Sequence, residues 1–380
     1  MEPIDKLRLL MSQIELEPAA DPLCDHLPAS RIKSLFISPA VRPDGSKIQL
    51  LKTLLTSVCE RNCYYCPFRQ ARDTRRATFT PDEFARLFMS LYRARVVDGI
   101  FLSSGVINGG IVTQDKLIAT AEILRLKHEF NGYIHLKIMP GAEKEQVMQA
   151  MRLSDRVSIN LEAPNSEKLL RLAPEKQFFN ELFQPLKWSS DIRKHECEKQ
   201  SWNGNWPSAV TQFVVGAAEE TDVELLTTTQ HLYKNLNIKR AYYSAFTPIT
   251  DTPLENQPPA SRDRERRLYE ASFLLRDYGY DMEELVFDTT GNLPLQADPK
   301  SLWADQHITC PIELNRADRH ELLRIPGIGI KGSNAIIIAR RTKILRSLEE
   351  LGSLGINTSK AAPYILLNGA QPPQQLSFQW

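Results

Sequence analysis

Short apolar runs alternate with longer amphipathic stretches over the middle of the chain, from residue 48 to residue 288. The runs have the length of buried strands, and the stretches between them have the 3.6-residue periodicity of helices. The predicted strands are 48–58, 99–104, 133–139, 156–163, 209–216 and 240–247. The predicted helices are 81–97, 114–130, 143–153, 165–183, 221–236 and 261–278.

Strands that alternate with helices indicate parallel βαβ units and an α/β fold class. The periodicity alone does not separate a partial barrel of six such units from a doubly wound open sheet. In both architectures ligands bind at the carboxyl ends of the strands. We therefore expect the functional residues directly after the predicted strands.

The remaining segments differ from this pattern. Residues 1–47 are predicted as an N-terminal extension, and residues 184–208 as a polar insert in the 48–288 domain. This insert holds three of the five tryptophans. Residues 289–310 lack periodicity, contain Gly and Pro, and are predicted as a linker. A small helical domain is predicted over 311–372, followed by a tail at 373–380.

Composition agrees with a soluble globular protein. The 380 residues are 42% hydrophobic and 24% charged, and their length suggests two domains. The first residues lack the continuous apolar segment of a secretory signal. No segment approaches the ~20 apolar residues that a membrane-spanning helix needs. The sequence therefore predicts a cytoplasmic protein without a membrane partner.

Three cysteines are the main chemical feature of the chain. Cys59, Cys63 and Cys66 lie within eight residues. Closed zinc sites and fully ligated iron–sulfur clusters usually take four protein ligands. Three soft ligands suit a [4Fe–4S] cluster that keeps one iron open for a small molecule. A zinc site completed by a distant histidine is an alternative, whereas six cysteines in 380 residues are sparse for a disulfide framework.

The segment TSVCERNCYYCPFR (56–69), with Tyr65 before its last cysteine, resembles the cluster motif of the radical S-adenosylmethionine (SAM) superfamily. The resemblance implies a partial (β/α)6 barrel and two cofactors, a [4Fe–4S] cluster and SAM. In that superfamily the open iron binds the amino and carboxylate groups of SAM. One electron, from a donor such as flavodoxin or ferredoxin, then cleaves SAM into methionine and a 5′-deoxyadenosyl radical.

The resemblance also implies a set of SAM-binding residues at the strand ends. They are Tyr65, Ser103, Ser104, Gly105, Asn160, Glu162, Val214 and Gly216. The serine segment lacks the acid of the superfamily's Gly-Gly-Glu-like sequence. Gln212 replaces the first glycine of the adenine segment, whose last position is Glu219. Lys137 is a candidate partner for the SAM carboxylate, with a solvated lysine as the alternative.

Several further residues carry open alternatives. Cys24, Cys197 and Cys310 lack ligand-like spacing, and buried cysteine is often only a small apolar residue. Cys197 is also a candidate hydrogen-atom donor or metal ligand. Arginines around the cluster motif either contact substrate or form a solvated basic face; they are Arg61, Arg69, Arg72, Arg75 and Arg76.

The C-terminal segment 312–369 resembles a tandem helix-hairpin-helix. The first hairpin is formed by Gly327, Ile328 and Gly329, with Lys331 in the next helix; a weaker second copy contains Lys360. Residues 311–380 hold nine Lys/Arg and five Asp/Glu, a local charge of +4 against +1 for the whole chain. Glycines at a helix N-terminus let backbone N–H groups approach a phosphate. The predicted partner is therefore nucleic acid, bound independently of sequence; protein contact is the alternative.

Both halves together resemble the family of DNA-modification or DNA-repair radical SAM proteins, over about residues 30–370. The genes of that family often neighbour one for a uracil-DNA-glycosylase-like protein, which is therefore a candidate partner. The resemblance implies a radical SAM enzyme acting on nucleic acid, with DNA favoured, but names no product. An RNA-modifying radical SAM enzyme and a non-catalytic Fe–S DNA-binding protein are the alternatives.

Overall fold

A computed structural model describes residues 1–14, 37–41 and 46–373. Cys24, most of the predicted N-terminal extension and most of the predicted tail lie outside the described residues. The chain divides into two compact units. The first comprises Met1–Glu220 and His231–Ser261, and the second comprises Thr221–Gln230 and Arg262–Trp380.

The first unit is built on one seven-stranded sheet. Its strands are β1 (Ile37–Val41), β2 (Lys47–Leu54), β3 (Gly99–Ser103), β4 (Tyr133–Lys137), β5 (Arg156–Ser158), β6 (Ser208–Val215) and β7 (Arg240–Ala245). They lie side by side in sequence order. β1 is antiparallel to β2, and the pairs from β2 to β7 are all parallel.

Helices connect the strands. They are α1 (Pro3–Ile14), α2 (Pro81–Arg93), α3 (Gly109–Glu122), α4 (Lys144–Leu153), α5 (Ser166–Leu172), α6 (Gln184–His195) and α7 (Asp222–Leu236). π-helical segments extend α3 over Ile123–Lys127 and precede α6 over Phe178–Phe183. Thr80 caps α2 in a capping box with Glu83, as its position before Pro81 suggests.

Sequential order of six parallel strands confirms the predicted partial (β/α)6 barrel. A doubly wound sheet reverses its strand order at a switch point, and this sheet does not. Strand residues such as Ile100, Ile134 and Val157 are fully buried. These apolar runs therefore form the core that the sequence pattern indicates.

The polar insert 184–208 differs in part from the sequence-based prediction. The first half of the polar insert 184–208 is the regular helix α6, whose buried positions include Leu186, Ser189, Ser190 and Ile192. Two of those buried positions are serines, so the apolar periodicity is weak although the helix packs well. The guanidinium of Arg125 stacks on the Trp202 ring at 3.6 Å, so this tryptophan is a packing element.

The second unit is mainly helical. It contains α8 (Arg262–Asp277), α9 (Pro299–His307), α10 (Arg319–Arg324), α11 (Ile330–Ala339), α12 (Leu348–Ser353) and α13 (Thr358–Ala361), with the parallel pair β8 (Ile312–Glu313) and β9 (Ile365–Leu366). Helix α9 lies within the predicted linker 289–310, where Asp298 caps its first turn. The second unit therefore begins before the predicted boundary at residue 311.

Within the described residues, no helix has the length and apolar character needed to cross a membrane.

Candidate radical SAM site

The cysteine loop follows β2 and carries Cys59, Cys63 and Cys66. Cys63 is buried, and the other two thiols are half-buried. The backbone N–H of Val106 donates to Cys59 Sγ at 3.4 Å, and that of Phe68 donates to Cys66 Sγ at the same distance. Such N–H···S bonds withdraw charge from sulfur and tune the potential of a bound iron–sulfur cluster.

Arg76 holds both ends of the cysteine loop. One of its terminal nitrogens donates to the carbonyls of Ser57 and Phe68 at 2.6 and 3.0 Å. The other donates to the carbonyls of Arg69 and Arg72 at 2.9 and 3.1 Å. Because one guanidinium satisfies four carbonyls, the loop keeps its shape through its own residues.

Three neighbouring arginines of the loop also form ion pairs and hydrogen bonds within the protein. Arg61 forms an ion pair with Glu181 at 2.6 Å, and Arg69 donates to the side-chain oxygen of Asn62. Arg72 donates to the carbonyl of Pro67 at 2.9 Å. Internal acceptors therefore engage all three side chains, which favours a structural role in the loop over the substrate contact that the sequence left open.

The segment after β3 packs directly on the cysteine loop. The N–H of Gly105 donates to the carbonyl of Thr56 at 2.7 Å. A Cβ on Gly105 would lie 2.2 Å from the carbonyl oxygen of Val58 and 3.2 Å from Cys59 Cβ. Glycine is therefore required at this position by contact between two loops of the protein. Ser103 and Ser104 are buried beside it.

Predicted polar residues lie where β4 and β5 end. Ser158 pairs with Lys137 in register, and Asn160 and Glu162 continue beyond the strand. All three are buried. The Ser158 hydroxyl has no hydrogen-bond partner in the described part of the chain. A buried hydroxyl without a partner is costly, and a bound polar ligand would supply one.

A buried network joins Glu162 to the cysteine loop. Lys176 Nζ lies 3.1 Å from Glu162 Oε1, and the Tyr65 hydroxyl interacts electrostatically with the same carboxylate. The φ of Glu162 is +66°, a left-handed conformation that is strained for a residue with a side chain. The sequence indicated Tyr65 and Glu162 but not Lys176, which lies in a loop without any motif.

Burial and mutual charge set the pKa values of this network. Burial raises the pKa of the Tyr65 hydroxyl well above its usual value, and the Glu162 carboxylate raises it further. Burial alone would raise the pKa of Glu162, but Lys176 and Lys137 more than offset it and the pKa is lowered. For Lys176, burial is likewise outweighed by Cys63 and Glu162, so its pKa is raised. Lys176 and Glu162 are therefore both charged at neutral pH.

The end of β6 completes the site. The backbone N–H of Val214 donates to the carbonyl of Glu162 at 2.8 Å. Gly216, with φ +91°, turns the chain, and its N–H is accepted by the Glu220 carboxylate. Glu220 is buried, whereas Glu219 is exposed and pairs with Arg171. The sequence match suggested Glu219, but the neighbouring acid stabilises this turn.

A chain of contacts therefore brings the predicted barrel residues together. The cysteine loop touches Gly105, Tyr65 reaches Glu162, and Glu162 pairs with Val214. Within the described ranges, no three His, Cys, Asp or Glu side chains converge on a single metal ion. A [4Fe–4S] cluster is much larger than one ion, so its thiolates need not converge on a point. Three thiols and the unpartnered Ser158 hydroxyl fit a cluster with a polar ligand.

The predicted nucleic-acid residues lie in the second unit, where α10 and α11 form one helical hairpin and α12 and α13 another. A Cβ on Gly327 would lie 2.3 Å from the carbonyl oxygen of Asn357, so this glycine serves packing between hairpins. Ile328 is buried, and its carbonyl accepts from Lys300 Nζ at 2.6 Å. Lys360 pairs with Asp298 at 2.8 Å.

The N-terminus of α11 is more open. Gly329 is its N-cap residue and is half-buried, and Lys331 in the first turn is exposed. Of the five predicted residues, only Ile328 is buried; Gly327 is half-buried like Gly329, and Lys360 is exposed but paired with Asp298.

Comparison with known proteins agrees with the barrel site. The model of the radical SAM superfamily matches residues 53–196. Threonylcarbamoyladenosine tRNA methylthiotransferase MtaB of Thermotoga maritima is 23% identical over 222 residues, which cover 55% of this chain and 46% of the relative. The chain thus spans about half the length of this curated relative.

Solved structures of low sequence identity were also found. Methylornithine synthase (PylB) matches with a TM-score of 0.46 and 13% identity over 60% of this chain and 61% of that one. The FeFe-hydrogenase maturase HydG from Carboxydothermus hydrogenoformans matches with a TM-score of 0.44 and 14% identity over 60% of this chain and 51% of that one.

The superfamily match coincides with the cysteine loop and the strands β3 to β5. The chain therefore contains a radical SAM domain, whose cofactors are a [4Fe–4S] cluster and S-adenosylmethionine.

Proposed function

We propose that this protein is a radical SAM enzyme that modifies or repairs a nucleic acid, with DNA as the favoured substrate. Cys59, Cys63 and Cys66 would hold the cluster, and the strand-end residues would hold SAM. When bound, the two cofactors supply a 5′-deoxyadenosyl radical, whose chemistry belongs to them rather than to the protein. The residues of this chain bind, orient and shield the reacting groups.

The barrel residues have distinct proposed roles. Ser103, Ser104 and Gly105 border the cysteine loop and suit the methionine end of SAM. Ser158 and Asn160 offer buried polar groups to the ribose hydroxyls or the carboxylate, and Ser158 is supported by its unpartnered hydroxyl. Val214 and Gly216 suit the adenine. Glu162 forms a buried ion pair with Lys176, so it contributes charge and position to the site.

The observation that carries the nucleic-acid proposal is the exposed face of α11. Lys331, Asn334 and Ile338 follow one another at helical spacing on α11, and Arg341 lies two residues beyond its end; all four are exposed. Arg319 reaches Asn334 with its Nε at 3.3 Å and adds a third cation. Within the described residues these cations form no ion pair, whereas Arg324, Lys343 and Lys360 do. Unpaired cations in a row suit a phosphate backbone.

A tandem helix-hairpin-helix would place this face on nucleic acid without reading its sequence. A target base inside a duplex would have to be flipped out or already single-stranded before the barrel could act on it. The electron donor would be a flavodoxin or ferredoxin, and a uracil-DNA-glycosylase-like protein is a candidate partner for handling the product.

RNA is the second candidate substrate, and one observation favours it. The curated relative named above is by its name a tRNA methylthiotransferase, at 23% identity over about half its length. Phosphate contacts from an exposed helix face do not distinguish DNA from RNA, because the 2′-hydroxyl is what separates them.

The test is anaerobic reconstitution of the full chain with iron, sulfide, SAM and a reductant. Duplex DNA, single-stranded DNA and tRNA are added separately. 5′-Deoxyadenosine and altered nucleosides are then measured by mass spectrometry. The proposal expects 5′-deoxyadenosine formation that a nucleic acid stimulates, together with a new nucleoside. SAM cleavage indifferent to all three polymers, without any altered nucleoside, would disprove a nucleic-acid substrate.

A further inference from the structure

A pocket of about 340 Å³ opens in the second unit, distinct from the hairpin ends. It lies between the last turn of α9, the segment 308–312 and helix α10. Its size falls within the ~300–1,000 Å³ typical of small-molecule sites. The function proposed above makes no use of it.

One wall of the pocket is aromatic. The rings of Trp303 and His307 are one helical turn apart on α9 and stack with centroids 4.7 Å apart and planes 5° from parallel. Tyr280 meets Trp303 edge-on at 5.4 Å, and the Arg324 guanidinium lies over both rings. A stack that is braced from behind offers a planar surface to another planar ring.

The rest of the lining is mostly polar. It includes His320 and Glu321 of α10, together with Thr309 and Cys310. Arg324 is paired with Glu284 through contacts of 2.6 and 3.2 Å, so its charge is already balanced. Glu321 Oε2 accepts from the backbone N–H of Asp318 at 2.7 Å. No hydrogen bond from the described part of the chain reaches its other oxygen, which is a free anionic acceptor.

The charges and aromatic rings that line the pocket favour one class of ligand. The lining holds two carboxylates and one guanidinium, so a phosphate or carboxylate group is disfavoured inside the pocket. A neutral planar ring is favoured by the stack, and an amino group on its edge matches the free oxygen of Glu321. Carboxylates recognise the exocyclic amino group of cytosine in this way.

We propose that this pocket binds a nucleobase that carries an exocyclic amino group, which stacks on the His307 ring and donates to Glu321. The inference rests on the nucleic-acid function proposed above and deepens it. The base comes from the bound polynucleotide or from a free nucleotide, and the chemistry of recognition is the same for both.

The test uses the full-length reconstituted protein and calorimetric titration with CMP and UMP. These nucleotides differ in the exocyclic amino group, and neither carries the adenine that also suits the SAM site. We expect CMP to bind at least about fivefold more tightly than UMP, as one hydrogen bond to a charged acceptor allows. Glu321→Gln should abolish that preference, and glutamine still fits the capping box of α10.

His307→Ala should weaken CMP binding by about tenfold, the loss typical of one base-stacking contact. His195→Ala is the matched control. Both histidines are exposed at the end of a helix and direct Nδ1 to a carbonyl four residues earlier. The control should bind CMP like the unaltered protein. Measurable CMP binding that UMP equals, or that His307→Ala leaves unchanged, would overturn the proposal.

An oligonucleotide of deoxycytidine identifies the source of the base. If it binds in a His307-dependent manner and CMP does not bind, the pocket takes a base from a polynucleotide; if CMP binds as tightly, the pocket takes a free nucleotide. Both results support a base site, whereas failure of both the oligonucleotide and CMP to bind overturns it. Lys331→Glu separates the two proposals. Oligonucleotide binding that depends on Lys331 but not on His307 keeps the nucleic-acid function and removes the base pocket.

Discussion

Lys176 and Glu162 form a buried ion pair, with 3.1 Å between Nζ and Oε1, directly beside the cysteine loop. Lys176→Met should lower the free energy of unfolding by about 3 kcal/mol, because it leaves a carboxylate buried without its partner. The double variant Lys176→Met/Glu162→Gln should recover part of this loss. Urea unfolding followed by circular dichroism measures both. A double variant less stable than the single one would contradict the account.

The cysteines of the loop should differ sharply from the exposed ones. Cys59→Ala, Cys63→Ala and Cys66→Ala should each abolish SAM cleavage and reduce the iron content well below the expected value of about four per chain. Cys197→Ala and Cys310→Ala are the controls, because both thiols are exposed. Iron analysis measures the cluster content of each variant, and 5′-deoxyadenosine assays measure its SAM cleavage. Full iron content and activity in a loop variant would show that its cysteine is not a ligand.

Gly105 should tolerate no side chain. In Gly105→Ala the new methyl group would lie 2.2 Å from the Val58 carbonyl, so the cysteine loop must shift. We expect lower iron incorporation and a loss of about 1–3 kcal/mol of stability. Gly352→Ala is the control, because that glycine has nothing within 4 Å of an added Cβ. Thermal unfolding and iron analysis compare the two variants. Normal iron loading of Gly105→Ala would mean that the loop accommodates the methyl group.

Two lysines of the second unit should respond differently. Lys331→Ala should reduce DNA affinity for all sequences and flatten the salt dependence by about one unit of slope, as loss of one phosphate contact does. Lys360→Ala should leave that slope nearly unchanged, because Lys360 is paired with Asp298. Fluorescence anisotropy at several salt concentrations measures the slopes. Equal slopes for both variants would contradict the proposed contact face.

Lys300 should make stability depend on pH. Burial lowers the pKa of Lys300 to about 7, and the nearby Asp298 offsets only part of this. Between about pH 7 and the usual value of 10.5 the unfolded chain therefore binds more protons at this site. The contribution of Lys300 to stability thus rises with pH across that window. The contribution of Lys300 should raise the urea midpoint between pH 6.5 and pH 9.5. This increase should be smaller in Lys300→Met than in the unaltered protein. An identical pH dependence in both proteins would refute the titration.

The sequence predicted the parts of the fold that depend on apolar periodicity. Six parallel strands and the position of Cys59, Cys63 and Cys66 after the first of them follow from short buried runs and from ligand chemistry. The sequential order of the strands was predicted only through the resemblance to the radical SAM superfamily. β1 was not predicted because its pairing with β2 depends on contact between segments rather than on a pattern. Helix α9 was missed because proline and glycine in 288–299 resemble a linker.

The site was predicted less completely than the fold. Tyr65 and Glu162 belong to motif-like segments, whereas Lys176 and Glu220 lie in loops where only three-dimensional burial reveals a role. An alternation of polar residues indicates which face of a strand they share, but not which distant charge neutralises them. The single-residue error between Glu219 and Glu220 has the same origin, because a turn decides which of two adjacent acids faces inward.

The four carbonyls bound by Arg76 have a consequence for how the protein is matured. Hydrogen bonds from Arg76 fix the backbone on both sides of the cysteines. The shape of the loop therefore does not depend on bound iron. Assembly of the cofactor would then be insertion into a preformed loop, and loss of the cofactor would leave the fold of that loop in place. Repeated cycles of loss and reloading would leave the polypeptide intact.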